Sequence, residues 1–145
     1  VALSPSDAQA HFWLGLAMGR RGQARGILRS LFLIGPLRQE MNTVLALDPQ
    51  HGGAHHVLGS MLFEIPGFAG GDKKGAVREL EIAARLEPDS SAHFTALAEA
   101  YLAVGERVKA QAALEHIAAI RQPADPGEYD ENLREAAALL SRIGR

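Results

Sequence analysis

The chain contains no cysteine. Disulfides, thiolate metal sites and cysteine nucleophiles are thereby excluded, and the compartment stays open because no thiol reports on it. Aromatic residues are scarce, with one Trp, two Tyr and five Phe in 145 residues. A core must therefore be built from aliphatic and small side chains. No apolar run approaches the roughly 18–20 residues that span a bilayer, and no signal peptide is visible. Neither sign of charge dominates, since fifteen Lys and Arg face seventeen Asp and Glu for a formal net charge of -2. That balance excludes a generally basic nucleic-acid binder and an acidic tail. Neither a nucleic acid nor a membrane is an expected partner. What is present is 47% hydrophobic residues, enough at this length for the core of one domain. The near-neutral total hides an asymmetry: residues 1–63 carry five Arg against Asp7, Glu40 and Asp48, while residues 64–145 carry ten basic against fourteen acidic residues.

The same punctuation recurs along the chain. Ala2-Leu3-Ser4-Pro5, Ala46-Leu47-Asp48-Pro49, Arg85-Leu86-Glu87-Pro88 and, more loosely, Ala119-Ile120-Arg121-Gln122-Pro123 each close a segment. After the first three a helical stretch begins and reaches Leu14-Gly15, Leu58-Gly59 or Leu97-Ala98. Units of this size cannot close a core alone, so their copies must stack as a solenoid. The third unit is clearest. Helix A is predicted from about Ser91 to Ala103, with Phe94, Leu97, Ala98 and Tyr101 at helical spacing on one face, and Gly105 ends it. Helix B follows from about Arg107 to Ile120, with Ala110, Leu114 and Ile117 turned inward.

This pattern resembles the tetratricopeptide repeat, whose period is about 34 residues with a W-x2-L-G-x2-Y opening. Phe94, Leu97, Ala98, Tyr101, Ala110, Leu114 and Pro123 match it in the third unit. His11, Leu14, Gly15, Met18 and the turn glycine Gly22 do so in the first, with Trp13 displaced, and His55, Leu58, Gly59 and Leu62 in the second. The resemblance implies an all-α, right-handed superhelix of antiparallel helix pairs over residues 1–123. The expected division is a remnant of a preceding repeat (1–5), repeat one (6–49), repeat two (50–88), repeat three (89–123) and a capping helix (127–145). Val1 to Pro5 read as the last turn of an upstream helix, so an upstream repeat, and with it a targeting segment, is expected before this chain.

Two units are over-long, with 44 residues from Pro5 to Pro49 and 39 from Pro49 to Pro88. In the second, Glu64 to Gly71 form a Gly/Pro loop, after which Asp72 is the expected N-cap of a helix Lys73–Leu86. In the first, Gln23 to Ile34 are helical in composition until Gly35-Pro36, where a kink or break is expected. An extended helix B ending in Leu-Asp-Pro, followed by Pro66-Gly67-Phe68-Ala69-Gly70-Gly71-Asp72, also resembles two irregular groups of this repeat class: the TatT component of TRAP transporters and the regulator-of-microtubule-dynamics proteins. The first of these implies a periplasmic or lipid-anchored helper that binds a solute-receptor protein and an apolar ligand. Cytoplasmic and periplasmic locations both stay open. Beyond Pro123, Asp125-Pro126-Gly127 reads as a turn and Tyr129 to Ile143 as a final helix closing the solenoid.

Arg20, Arg21, Arg25, Arg29 and Arg38 cluster with no acidic residue between Asp7 and Glu40. Arg21, Arg25 and Arg29 form one helical stripe, which is either a solvated face answered by the acidic rear or a docking face for an anionic partner. Of His51, His55 and His56 the first two are one helical turn apart and could share a metal, but a site needs a third ligand that only Glu64 or His93 could supply, so helix-entry and packing roles are favoured and no metal is expected. Gly70-Gly71-Asp72-Lys73-Lys74 lacks the order and the preceding strand of a phosphate loop. No residue set supports catalysis and no cofactor is implied. The inner face of helix A is the expected partner-binding surface, lined by Gln9, Phe12, Leu16 and Gly19, then His56, Ser60 and Phe63, then Thr95, Glu99 and Leu102. Its mixed lining suits a protein or peptide, with a small apolar molecule held by a transport-associated component as the alternative. A homo-oligomer is compatible with either.

Overall fold

A computed structural model describes the backbone of residues 7–25 and 31–144 and the side chains of residues 7–18 and 31–144. Seven α-helices and no strand occur among the described residues: α1 (Ala8–Arg25), α2 (Ile34–Leu47), α3 (Gly52–Glu64), α4 (Lys73–Leu86), α5 (Ser91–Ala103), α6 (Arg107–Ala119) and α7 (Pro126–Ile143). Short 3-10 turns at Leu31–Leu33 and Gly67–Ala69 lie in the two longer connections. The helices pair as antiparallel hairpins, α1 with α2, α3 with α4 and α5 with α6, and each hairpin stacks on the next. Residues 1–6, proposed as a repeat remnant and the entry to repeat one, lie outside the described residues apart from the backbone that follows them.

The recurring acidic residue and proline build the corner between hairpins. His51 N donates to Asp48 O at 3.2 Å and Ser90 N to Glu87 O at 3.1 Å, so each repeat boundary is a four-residue turn with Pro at its second position. Proline presets the backbone there and stops the preceding helix. Asp48 adds an Oδ1 that accepts from Gln50 N at 3.1 Å. Within the third hairpin, Gly105 takes φ 81°, Glu106 N donates to Tyr101 O at 2.9 Å and Gly105 N to Leu102 O at 3.2 Å. This is the paired closure that a left-handed glycine permits after a helix.

Small residues set how closely the helices approach. Met41, Val44, Ala54, Leu58 and Met61 form one buried cluster, and Leu80, Leu97, Ala98, Tyr101, Ala110, Leu114, Ile117 and Ala136 belong to a second. The matched positions Gly15, Gly59 and Ala98 differ in the room they leave. A Cβ on Gly59 would stand 2.6 Å from Leu80 Cγ and 3.3 Å from Ala76 O, whereas one on Gly15 meets the tip of Met41, which can swing aside. Gly59→Ala is therefore expected to cost about 1–3 kcal/mol by overpacking, offset in part by about 1 kcal/mol of helix propensity. Gly15→Ala should be neutral or stabilising, and urea unfolding of the two variants checks the contrast.

Three elements depart from expectation. Gly35-Pro36 does not kink a long helix, because α2 begins at Ile34 and places Pro36 in its first turn, where the missing N–H has no helical partner to lose. Gly22 does not end α1, which continues to Arg25. Helix α7 starts at Pro126, three residues before the predicted Tyr129, because proline is well suited to the first helical position. Asp72 does precede α4, yet its side chain makes no capping bond and lies against Gly75 with Arg78 at 3.6 Å. The predicted helices at Ser91–Ala103 and Lys73–Leu86 are found at those bounds, and α6 ends one residue early.

Candidate functional site

Helices α1, α3 and α5 are the first helices of the three hairpins. Helix α3 contacts α5 directly, and Gln9 and Phe12 of α1 reach the start of α3, so the first helices meet along one side of the stack. The joint between α1 and α3 is aromatic. The Phe12 ring lies 4.6 Å from the His51 ring and 5.8 Å from Trp13, and it covers Gly53, where a Cβ would stand 2.8 Å from Phe12 Cζ. His51 Nε2 pairs with Gln9 Oε1 at 3.1 Å, and its Nδ1 accepts from Ala54 N at 3.1 Å, so one imidazole both caps α3 and ties it to α1. Leu16 is half-buried one turn beyond Phe12.

The joint between α3 and α5 is a histidine pair. His56 Nδ1 lies 2.7 Å from His93 Nδ1, with the rings 4.8 Å apart, and His93 Nε2 lies 3.4 Å from Glu87 Oε1. One of the facing nitrogens must donate and the other accept. Burial, then the neighbouring His93, lowers His56 to about 4, with Asp125 acting weakly the other way. Glu87 in turn packs against Gly52 at the start of α3.

Toward the far end of α3 and α5 the lining changes. Phe63 is half-buried against the second core cluster, and the Lys73 ammonium stands 3.9 Å above its ring and donates to the Phe63 carbonyl. Glu99 is raised from its ordinary value by burial first and then by Glu135 on α7 and Glu64 at the end of α3. A carboxyl corner thus forms where three helices meet. Thr95 is only 8% exposed and its hydroxyl donates to Ser91 O at 3.0 Å, so it offers a partner little surface. Ser60 and Leu102 are half-buried along the same face.

The three clustered histidines diverge. His51 goes to Gln9, His55 to Glu79 at 2.7 Å and the Pro49 carbonyl at 3.1 Å, and His56 to His93. No group of three or more metal-ligating side chains occurs among the described residues. His11 and His55 occupy matched positions and pair across their hairpins, with Glu40 at 2.6 Å and Glu79 at 2.7 Å. In the third hairpin Phe94 stands at that position and stacks on His116 at 3.9 Å, whose Nε2 reaches the Pro88 carbonyl at 2.8 Å. The glycine loop keeps its amides for itself: Gly70 N donates to Gly67 O, Gly71 N to Pro66 O and Asp72 N to Leu62 O.

Of the five clustered arginines, Arg38 is the one whose side chain is described. Arg20, Arg21 and Arg25 sit on the last two turns of α1, their side chains outside the described residues, as is Arg29 altogether. Arg38, on α2, comes beside the Gly70 turn. Glu87 and Glu135 also join this surface without a signal in the sequence, and Glu64 and His93, considered there only as a third metal ligand, take other partners. Only the His56–His93 pair left a signal, because the two lie 37 residues apart, close to one repeat.

No protein-family model and no curated protein matches the sequence significantly. Solved structures do match. The type III secretion translocator chaperone SycD of Yersinia enterocolitica is similar over 99% of this chain and 87% of its own, at TM-score 0.72 and 16% identity. The TPR protein TTC0263 of Thermus thermophilus matches over 96% and 68%, at TM-score 0.67 and 24% identity, and MamA over 97% and 77%, at TM-score 0.65 and 21% identity. The chain carries the tetratricopeptide-type fold. Neither narrower likeness, to TatT or to the microtubule-dynamics regulators, is confirmed by these structures.

Proposed function

We propose that this chain is a non-enzymatic protein-binding module whose helix A surface receives a protein or peptide. The observation that carries this reading is a division of labour among the side chains. Polar groups capable of chemistry are occupied in structural pairs, His11 with Glu40, His55 with Glu79 and Asp125 with Ser91. The helix A face instead keeps partly exposed apolar and polar side chains on rigid helices, Phe12, Leu16, Ser60, Phe63 and Glu99, with His56 among them held by His93. Thr95 belongs to its support. The similar structures of a secretion chaperone and a TPR protein support such a role. The Arg20, Arg21, Arg25, Arg29 and Arg38 segment would steer an anionic part of the partner. A transport component holding a small apolar molecule has less to rest on, since the cleft beside Phe12 is open and lined by Gln9, Asp48, Gln50 and Glu87.

Phe12 and Phe63 help hold the fold, so the test adds bulk instead of removing it. Leu16→Arg with Ser60→Arg should weaken capture of the partner recovered from the host by more than about tenfold, the scale of losing a central contact. Circular dichroism melts should stay within a few degrees of wild type. Undiminished capture by a folded double variant would remove the helix A assignment.

A further inference from the structure

The hairpin architecture gives the stack two edges, one carrying the connections within hairpins and one carrying the connections between them. Arg107 Nη2 donates to Ile143 O at 2.7 Å, which places the end of α7 on the first edge. Among the described residues, the three most exposed large apolar side chains all stand there, one per repeat: Phe32 at 83%, Phe68 at 88% and Val108 at 82%. Phe32 and Phe68 sit on the 3-10 turns of the two longer connections, and Val108 opens α6.

Charge divides between the same edges. Among the described residues of the connections and five helical residues on either side, the first edge holds eight of thirteen Lys and Arg against four carboxylates. The same span along the other edge holds two against eight. The formal side-chain charges of these described residues are thus +4 and −6, a polarity that the net charge of -2 conceals. Some of the cations are engaged, Lys109 with Glu106 at 3.9 Å and Lys73 with the Phe63 carbonyl. Arg38, Lys74 and Arg142 have no carboxylate partner among the described residues.

We propose that this edge docks peripherally on an anionic lipid bilayer, with Phe32, Phe68 and Val108 entering the interface and the surrounding Lys and Arg meeting the headgroups. Three isolated apolar tips on separate turns do not make the contiguous patch that a folded protein partner covers. A fluid interface accepts each tip without a matching pocket, and basic residues beside it are attracted by the negative surface potential. The acidic edge faces away, which orients the molecule. No described helix is long and apolar enough to cross a membrane, consistent with attachment at the surface alone. The inference reverses the expectation of no membrane contact and is independent of the helix A reading, whose face stays free in this orientation.

The test is flotation of the whole chain with vesicles of phosphatidylcholine alone and of equimolar phosphatidylcholine and phosphatidylglycerol. Wild type should float with the second and not the first, and less as salt rises. Phe68→Ser with Val108→Ser changes only exposed residues and should reduce partitioning about tenfold or more. Lys74→Glu with Arg142→Glu should reduce it by a similar factor. No flotation at low salt, or flotation indifferent to the apolar pair, overturns the proposal. So does salt-sensitive self-association without vesicles that Lys74→Glu abolishes, since the basic edge would then be occupied by the acidic edge of a second copy.

Discussion

Asp125→Ala should lower the melting temperature by about 10 °C, the shift expected from a loss of about 3 kcal/mol in a domain of this size. One carboxylate in the loop before α7 closes the start of α5, 34 residues earlier. Oδ1 accepts from Ser91 N at 2.9 Å, and Oδ2 from Ser91 Oγ at 2.7 Å and Ala92 N at 2.8 Å. Asn132 on α7 donates to the same Ser91 hydroxyl at 2.9 Å, and Ala124 N reaches Asp89 O at 2.8 Å. Burial works to raise the Asp125 carboxyl, but the bonds from Ser91 and Ala92 outweigh it and hold it below its ordinary value. Alanine would leave buried α5 amides unsatisfied and loosen the terminal helix together. Asparagine should recover only part of the loss, because its NH₂ group cannot accept. An Asp125→Ala melt within a degree or two of wild type would mean that α7 is held by its apolar face alone.

Acidification should destabilise the fold well before ordinary carboxylates titrate. His56 has an ordinary value of 6.5 and is lowered to about 4 by burial and then by His93. Between those limits the unfolded chain binds a proton that the folded chain refuses, so stability is full above about 6.5 and falls as pH drops toward 4. The loss from this group approaches about 3 kcal/mol. Glu99 opposes it, because a raised carboxyl contributes stability below its ordinary value of 4.5 and loses it as pH rises through the folded value. Asp125, held low, adds its own loss only as pH falls below its ordinary 3.8. Urea unfolding at about pH 7 and about pH 4.5 should show the drop in wild type and a much smaller one in His56→Gln, whose amide can still bond His93. Equal slopes in the two proteins would remove His56 as the cause.

The repeat was legible because its signals are covalent and local. Asp48-Pro49 and Glu87-Pro88 fix their turns wherever they stand, and Leu97-Ala98 with Tyr101 shows one face of a helix without reference to a neighbour. Pro36 was ambiguous on the same local grounds, since a proline that breaks a helix and one that starts it have identical neighbours in sequence. The face of helix A could be listed by periodicity, but its joints could not. His56 meeting His93, or Glu99 meeting Glu64 and Glu135, depends on how hairpins stack. The edge polarity was hidden for a related reason: divided along the chain, the charges look like a basic front and an acidic rear, whereas folding interleaves alternate connections and sorts them onto two sides.

The helix A surface is tested most directly by photocrosslinking. A benzophenone amino acid at Ser60, on α3 within that face, should trap a specific protein from the native host, while the same group at the exposed Ala112 on α6 should trap none. Crosslinking to that protein from position 112 and not from position 60 would contradict the account and move the binding site to the opposite side of the superhelix.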